Sequence, residues 1–420
     1  MFRYYILIEM LRSKVIPTLY ILSIILITLP PLQIVSGLPS QHGLSKAIWI
    51  FISSLYGYSI IKSKERIQKQ HIAFIWMYLI FLLSQAISIV SVFNIYAYME
   101  TMEELVIMGM FIISTLWISQ MKNAGKTFLT VIMIITSIDL FQYVLLYIFP
   151  DIVNSGISRY FNQEYLSIIN FNLGRGRIYF ESYAESYLPL LLFIGINKTG
   201  LIQKASFINS AALIVFSYIT NFRSKFITLI FSLLSSTAIL SKKMKNLLFV
   251  LIPSFIFIFV ISDNTVLERF NIFSDWENVR TIESRLVNWE MALDMGIQNP
   301  VFGVGAGNYF DYVDSSLKRS ITIFKDIERE FNYGITDPHN IIAKTFAETG
   351  LIGTLGLFAL LVYFIFKDVS IMKSKNTFPK LLVVGFWTIF IYSLANPGFT
   401  SKYLMNYWFL RLMIQTEINI

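Results

Sequence analysis

The chain has 420 residues, 55% of them hydrophobic and only 14% charged, where soluble domains carry roughly 25% charge; with a mean hydropathy of +0.62 it predicts an integral membrane protein. The formal charge of +8 does not indicate nucleic acid, because the lysines cluster in short segments between apolar runs and no basic helix, finger or aromatic RNA motif is present. Cysteine is absent, which excludes disulfides and thiolate chemistry, and the three histidines, His42, His71 and His339, are too scattered to make a zinc site; neither metal nor cofactor is expected.

At the N-terminus Arg3, Arg12 and Lys14 lead into an apolar run with no small-residue cleavage site behind it. That pattern predicts a retained membrane helix rather than a signal peptide. Apolar segments follow at about 15–36, 46–61, 72–95, 104–119, 127–149, 178–196, 205–221, 224–240, 246–262, 349–366, 380–396 and 404–418. Each is close to the roughly 20 residues that cross the hydrocarbon. The expected fold is therefore an all-α polytopic membrane protein of about twelve transmembrane helices, a single integral membrane domain over 1–420. The sixth segment carries Glu181, Glu185 and Ser186, which predicts a helix packed inside the bundle or lining a cavity, since charge facing lipid is costly.

Every even-numbered connection is basic: Lys62, Lys64, Arg66 and Lys69; Lys122 and Lys126; Lys198 and Lys204; Lys242, Lys243 and Lys245; Lys367, Lys373, Lys375 and Lys380. The positive-inside rule puts these connections and both termini in the cytoplasm. The stretch from Tyr96 to Glu103, without Lys or Arg, reads as an outer loop. Two longer outer loops are expected at 150–177 and 263–338, the second between helices nine and ten; long ordered loops are commonly functional. No low-complexity tract and no inverted repeat of the transporter kind is visible.

The outer segments hold the candidates for chemistry. Arg175 and Arg177 precede the sixth segment, Arg223 sits in Thr220-Asn-Phe-Arg-Ser-Lys225 between the seventh and eighth, and Arg280 and Arg285 lie in the long loop. Snorkelling to headgroup phosphates explains any one such arginine. Several of them, from three separate segments, favour a guanidinium grip on phosphate or diphosphate. His339, within Asp337-Pro-His-Asn340, reads either as a structural histidine or as the group that takes a proton near neutral pH.

In Asn299-Pro-Val-Phe-Gly303-Val-Gly305-Ala-Gly307-Asn-Tyr-Phe310 the glycines lack the βαβ context of a dinucleotide loop and instead predict a tight turn with close backbone approach. Gly350, Gly353 and Gly356, spaced by three, read as close helix packing. Residues 284–297 have the period of an amphipathic helix lying along the membrane surface, with Trp289 at the interface and Arg285 held over the site.

Taken together, Thr220-Asn-Phe-Arg223-Ser, Arg285-Leu-Val-Asn-Trp289, Pro300-Val-Phe-Gly303-Val-Gly305-Ala-Gly307-Asn, His339-Asn340 and Glu348-Thr-Gly350-Leu-Ile-Gly353 resemble the O-antigen ligase and O-antigen polymerase superfamily over roughly 170–365. The resemblance implies a GT-C-like, metal-independent, inverting glycosyltransferase of the bacterial inner membrane, its large loop in the periplasm. Its partners would be polyprenyl-diphosphate-linked glycan donor and acceptor, with undecaprenyl diphosphate as the carrier, membrane lipids and a chain-length regulator, but no nucleic acid. It implies that Arg223 and Arg285, with Arg175 or Arg177, bind the donor diphosphate, and that His339 activates the acceptor hydroxyl. Asn340, Glu348, Gly303, Gly305 and Gly307 would support them.

One departure is Phe222-Arg223-Ser224 where the family commonly has Ser-Arg-Gly. Polymerisation of repeat units is favoured over ligation to a lipid A-core. A lipid-linked glycan flippase is the rival from another class, disfavoured because the embedded charges expected (Glu181, Glu185, Arg411) are few.

Overall fold

A computed structural model describes residues 11–30, 40–63, 68–149, 166, 169–170, 182–219, 223–237, 239, 276–312, 338–394 and 401–416. Among these residues every element is helical. In chain order they are α1 (Ile16–Thr28), α2 (Gln41–Ser63), α3 (Lys69–Ala86, extended by the 3-10 turn Ile87–Ser91), α4 (Ile95–Ser119) and α5 (Ala124–Ile148). Then come α6 (Leu188–Asn197, entered through the 3-10 turn Ala184–Tyr187), α7 (Leu201–Ile219), α8 (Arg223–Thr237), α9 (Trp276–Gln298), α10 (Ile341–Met372), α11 (Thr377–Ser393) and α12 (Ser401–Gln415). Five stretches, Gln41–Lys62, Lys69–Ser91, Ile95–Ser119, Ala124–Ile148 and Ile341–Met372, are long and apolar enough to cross a membrane; α1, α6, α7, α8 and α11 contribute shorter apolar helices. The chain is thus a polytopic, all-helical membrane protein.

Eleven of the expected apolar segments coincide with helices. The ninth, 246–262, lies outside the described residues, as do the outer loop 150–177 apart from 166 and 169–170, and residues 263–275 and 313–337 of the large loop. One expectation is corrected. The supposed loop Tyr96 to Glu103 is the first two turns of α4. Its acidic residues mimic a loop, but the Asn94 side chain accepts from the Tyr96 N–H at 3.0 Å and so caps a helix that begins well before its apolar stretch. The expected amphipathic helix is present as α9 and starts earlier, at Trp276.

α12 forms the post of the bundle. Its side chains from Lys402 to Gln415 are all buried, as a helix surrounded by others requires. Tyr403, Trp408 and Arg411 are among its fully enclosed groups. Around it pack α11, α4, α3 and α1, with α2, α5, α6 and α7 outside them. Apolar side chains facing outward, such as Trp76, Leu83, Phe141, Leu355 and Phe366, are what a lipid-facing belt requires.

A candidate site at the outer end of the bundle

The glycine-rich loop is built into a helix. In an uninterrupted α10 the Leu351 and Ile352 N–H groups would donate to the Ala347 and Glu348 carbonyls. They donate instead to Pro300 O (2.8 Å) and Val301 O (3.3 Å), and the vacated carbonyls accept from Val304 N (3.0 Å) and Gly305 N (2.8 Å). The loop therefore replaces the missing rungs on both sides of the break and gives these four backbone groups partners.

Sequence decides where the break falls. Gly350 has φ 59°, ψ −156°, a region essentially restricted to glycine, and a Cβ there would lie 2.6 Å from the Val301 carbonyl carbon. A Cβ on Gly303 (φ 68°) would overlap the Glu348–Thr349 peptide. Gly350 is thus a hinge point and not the packing contact its spacing suggested; Gly353 and Gly356 do pack closely, on Gln85 and Ser84 of α3.

The same loop is stitched to the start of α4. Phe93 N donates to Val304 O at 3.1 Å, Ala306 N donates to Ser88 Oγ at 3.0 Å, and Asn94 N donates to Asn308 Oδ1. The Glu348 carboxylate accepts from Tyr309 N at 3.3 Å, and the Tyr309 hydroxyl donates to Asn288 O of α9 at 3.2 Å. Glu348, Gly303, Gly305 and Gly307 thus occupy the frame joining α9, α10 and α4.

α9 uses Val287, Met291, Ala292 and Met295 to pack on Val304, Tyr309, Ala343 and Ala347. Leu286, Leu293 and Ile297 remain exposed on another face. An inward apolar face and an outward apolar stripe fit a helix lying at the membrane interface. Arg285, the tenth of its 23 residues, stands half-buried. Desolvation pushes the guanidinium down from its ordinary value, while the nearby Tyr392 phenol at the end of α11 acts in the opposite sense; an arginine stays cationic throughout the physiological range.

His339 and Asn340 sit at the head of α10. The Asn340 side chain accepts from the N–H groups of Ile342 (3.0 Å) and Ala343 (3.1 Å), an N-cap. His339 itself has φ 54°, an uncommon backbone state outside glycine.

Beneath this frame the bundle buries more charge than the sequence suggested. Lys402 of α12 pairs with Asp139 of α5 at 2.8 Å, and Ser182 Oγ donates to the same carboxylate at 2.8 Å. Lys225, fully enclosed in the first turn of α8, donates to the Tyr143 hydroxyl and lies 4.8 Å from that ring's centre. Tyr143 in turn donates to Glu185 Oε1 at 3.3 Å. Alongside them a small cleft, with room for about one water molecule, is lined by Ser182, Tyr183, Glu185, Ser186, Thr228, Thr388, Ile389 and Tyr392. Asp139, Lys225 and Lys402 were not among the sequence candidates. Asp139 carried a signal, a lone carboxylate within an apolar run, and Lys225 lies two residues after Arg223.

The expected residues thus fall on converging elements. Arg223 opens α8, which also contributes Thr228 to the cleft, and Arg285 lies near the cleft's Tyr392. His339 heads α10, on which α9 packs. Arg175, Arg177 and Glu181 lie outside the described residues.

This is a membrane protein in which Arg223 opens α8 and a small cleft, lined in part by Thr228 of that helix, adjoins the buried Lys225, Tyr143 and Glu185 network. Residues 208–358, from α7 to the middle of α10, match the family model described as O-antigen ligase, a family of membrane glycan-transferring enzymes, and this match supports the likeness to the O-antigen polymerase and ligase superfamily. No curated protein matches the chain.

Proposed function

We propose that this protein is a metal-independent glycosyltransferase that joins polyprenyl-diphosphate-linked oligosaccharide repeat units into O-antigen or capsular polysaccharide on the periplasmic face of the inner membrane. The observation that carries this reading is the match of residues 208–358 to the O-antigen ligase family model, a stretch that contains Arg223 at the start of α8, Arg285 on α9 and His339 at the head of α10. A polyprenyl diphosphate is already a leaving group, so the barrier lies in the charge that develops on it and in the weak nucleophilicity of a sugar hydroxyl. Arg223 and Arg285, with Arg175 or Arg177, stabilise the departing diphosphate in a water-poor site, where fixed charge acts most strongly. His339 takes the proton from the attacking hydroxyl, a contribution of about 10²–10⁴-fold. Direct displacement inverts the anomeric centre. Asn340 caps α10 beside His339, and Glu348 with the loop glycines holds α9 and α10 in register.

The ligase reading, transfer of finished glycan to lipid A-core, uses the same residues. The surface-glycan gel profile of the native strain carrying His339→Ala, with membrane levels of the variant verified, separates the two. Core bearing one repeat unit is the outcome expected of a polymerase. Uncapped core with accumulated lipid-linked polymer means a ligase, and a normal ladder removes His339 from the chemistry.

A further inference from the structure

We propose that Lys225 is a positioning residue for donor binding. Its buried ammonium, tied through the Tyr143 hydroxyl to Glu185, fixes the rotation of α8 and so holds Arg223 on the lipid-facing side of that helix, where a membrane-borne diphosphate is gripped; this rests on the donor reading proposed above.

Nothing within α8 accounts for the lysine. It is fully enclosed, and burying an ammonium is costly unless it is paired. It also sits in the first turn, where the helix dipole disfavours a cation. Apolar residues of similar volume often replace buried ions without loss, so stability is a poor reason to keep one. What ions and hydroxyls supply, and methylenes do not, is direction. Lys225 donates to the Tyr143 hydroxyl of α5 and lies 4.8 Å from that ring's centre. Tyr143 donates to Glu185 Oε1 at 3.3 Å, in the turn that leads into α6, and its ring stacks on Phe216 of α7 with centroids 5.8 Å apart. Three elements thus set where the ammonium ends, and with it the azimuth of the first turn of α8.

The helix period carries that constraint to Arg223. Beyond Lys225 the buried side of α8 continues through Thr228, Leu229, Ser232, Leu233 and Ser236. Successive residues turn by about 100°, so position 223 falls about 200° from position 225. That is the side of Ile227 and Leu234, which are exposed, and an apolar face turned away from the bundle is one that meets lipid. An arginine heading that face meets phosphate carried by membrane lipids. A rotation of α8 by one residue, about 100°, would carry it off this side. Thr228, Ser232 and Ser236 are small and polar, so apolar burial alone fixes the rotation weakly, and the Lys225 anchor supplies the rest.

The experiment is a double-mutant cycle on the full-length protein in nanodiscs of zwitterionic lipid, with farnesyl diphosphate, a soluble short-chain polyprenyl diphosphate, as the probe. Wild type, Lys225→Met, Arg223→Gln and the double variant are compared. Arg223→Gln is expected to weaken binding about tenfold, the worth of one hydrogen bond to a charged group, and to leave the binding that Arg285 provides. Lys225→Met is expected to weaken binding about fivefold when Arg223 is present and less than about twofold once it is gone, the non-additivity of residues that act through one another. A merely structural lysine would weaken binding alike in both backgrounds, and that result overturns the positioning role, as does a Lys225→Met variant that binds like the wild type. Where Lys225→Met fails to reach the membrane, Tyr143→Phe, which keeps the ring and removes the hydroxyl link, is expected to give the same pattern at about threefold and decides the matter. An Arg223→Gln variant that binds as tightly as the wild type overturns the donor role of Arg223 itself, and the inference with it.

Discussion

At the end of the bundle that the lysine pattern assigns to the cytoplasm, called the inner end, the Arg411 guanidinium donates to Asp368 at 2.7 Å, lies 4.2 Å from the centre of the Phe364 ring and 5.2 Å from that of Phe386, and shares its carboxylate partner with Trp387 Nε1 at 2.8 Å. At the outer end Asp139 and Lys402 form a pair of nearly the same length, but their neighbours are Ser182, Glu185 and Tyr143, and a small cleft opens beside them. Both ends therefore bury an acid–base pair, and burial alone does not mark function. The aromatic enclosure of the inner pair reads as a lock between α10 and α12. The outer network links α5, α8, α12 and the segment 182–187 through hydroxyl, carboxylate and ammonium groups and borders a small cleft.

The largest effect expected on that contrast comes from breaking the inner pair. Arg411→Leu leaves Asp368 buried without its cation, which costs about 3–5 kcal/mol, read as a large fall in the thermal midpoint of the purified protein in detergent. The double change Asp368→Leu with Arg411→Leu should recover most of that loss, because apolar side chains of similar volume often replace a buried pair without penalty. Glycan polymer should reappear with it. Recovery of the fold without recovery of polymer would give the inner pair a functional part and erase the distinction between the two ends.

Next in size is Gly350→Ala. A side chain there enters a glycine-only region of backbone, about 1–3 kcal/mol, and in addition overlaps Val301, so the loop must leave the α10 ladder. Chemical denaturation of the purified variant should show the lost stability. Protease cleavage within 299–312 should rise with it, and unchanged cleavage would mean that the ladder exchange tolerates a Cβ.

The sequence disclosed these features unequally, for physical reasons. Apolar runs located eleven helices, since they follow directly from the bilayer as a solvent. The period of 284–297 revealed α9 because one face, with Met291 and Met295, meets Val304, Tyr309, Ala343 and Ala347, while Leu286, Leu293 and Ile297 face outward. Hydropathy could not locate the start of α4 or of α10. Both helices run past their apolar stretch into polar caps, at Asn94 and Asn340, and the cap replaces lipid as the source of order.

The loop glycines announced a close backbone approach but not its partner, because the Leu351 and Ile352 donors pass to Pro300 and Val301 only when residues some fifty positions apart meet. Asp139 and Lys402 are 263 positions apart. Asp139 was visible as an anomaly within its run, but nothing local named its cation.

The smallest effect tests whether the outer end depends on fine placement. The Asn340 cap satisfies two N–H groups at the head of α10, and its removal in Asn340→Ala should cost about 1 kcal/mol, a shift of a few degrees in the thermal midpoint. His339 is the residue before it, held at positive φ, so loosening the first turn of α10 frees the histidine backbone as well. Loss of polymer should therefore exceed what the small loss of folded protein explains. Asn340→Asp, which keeps an oxygen in the cap, should restore both. If Asn340→Ala lowers stability and leaves the glycan ladder intact, His339 does not need the cap to hold its position, and the link between the head of α10 and the chemistry is broken at that residue.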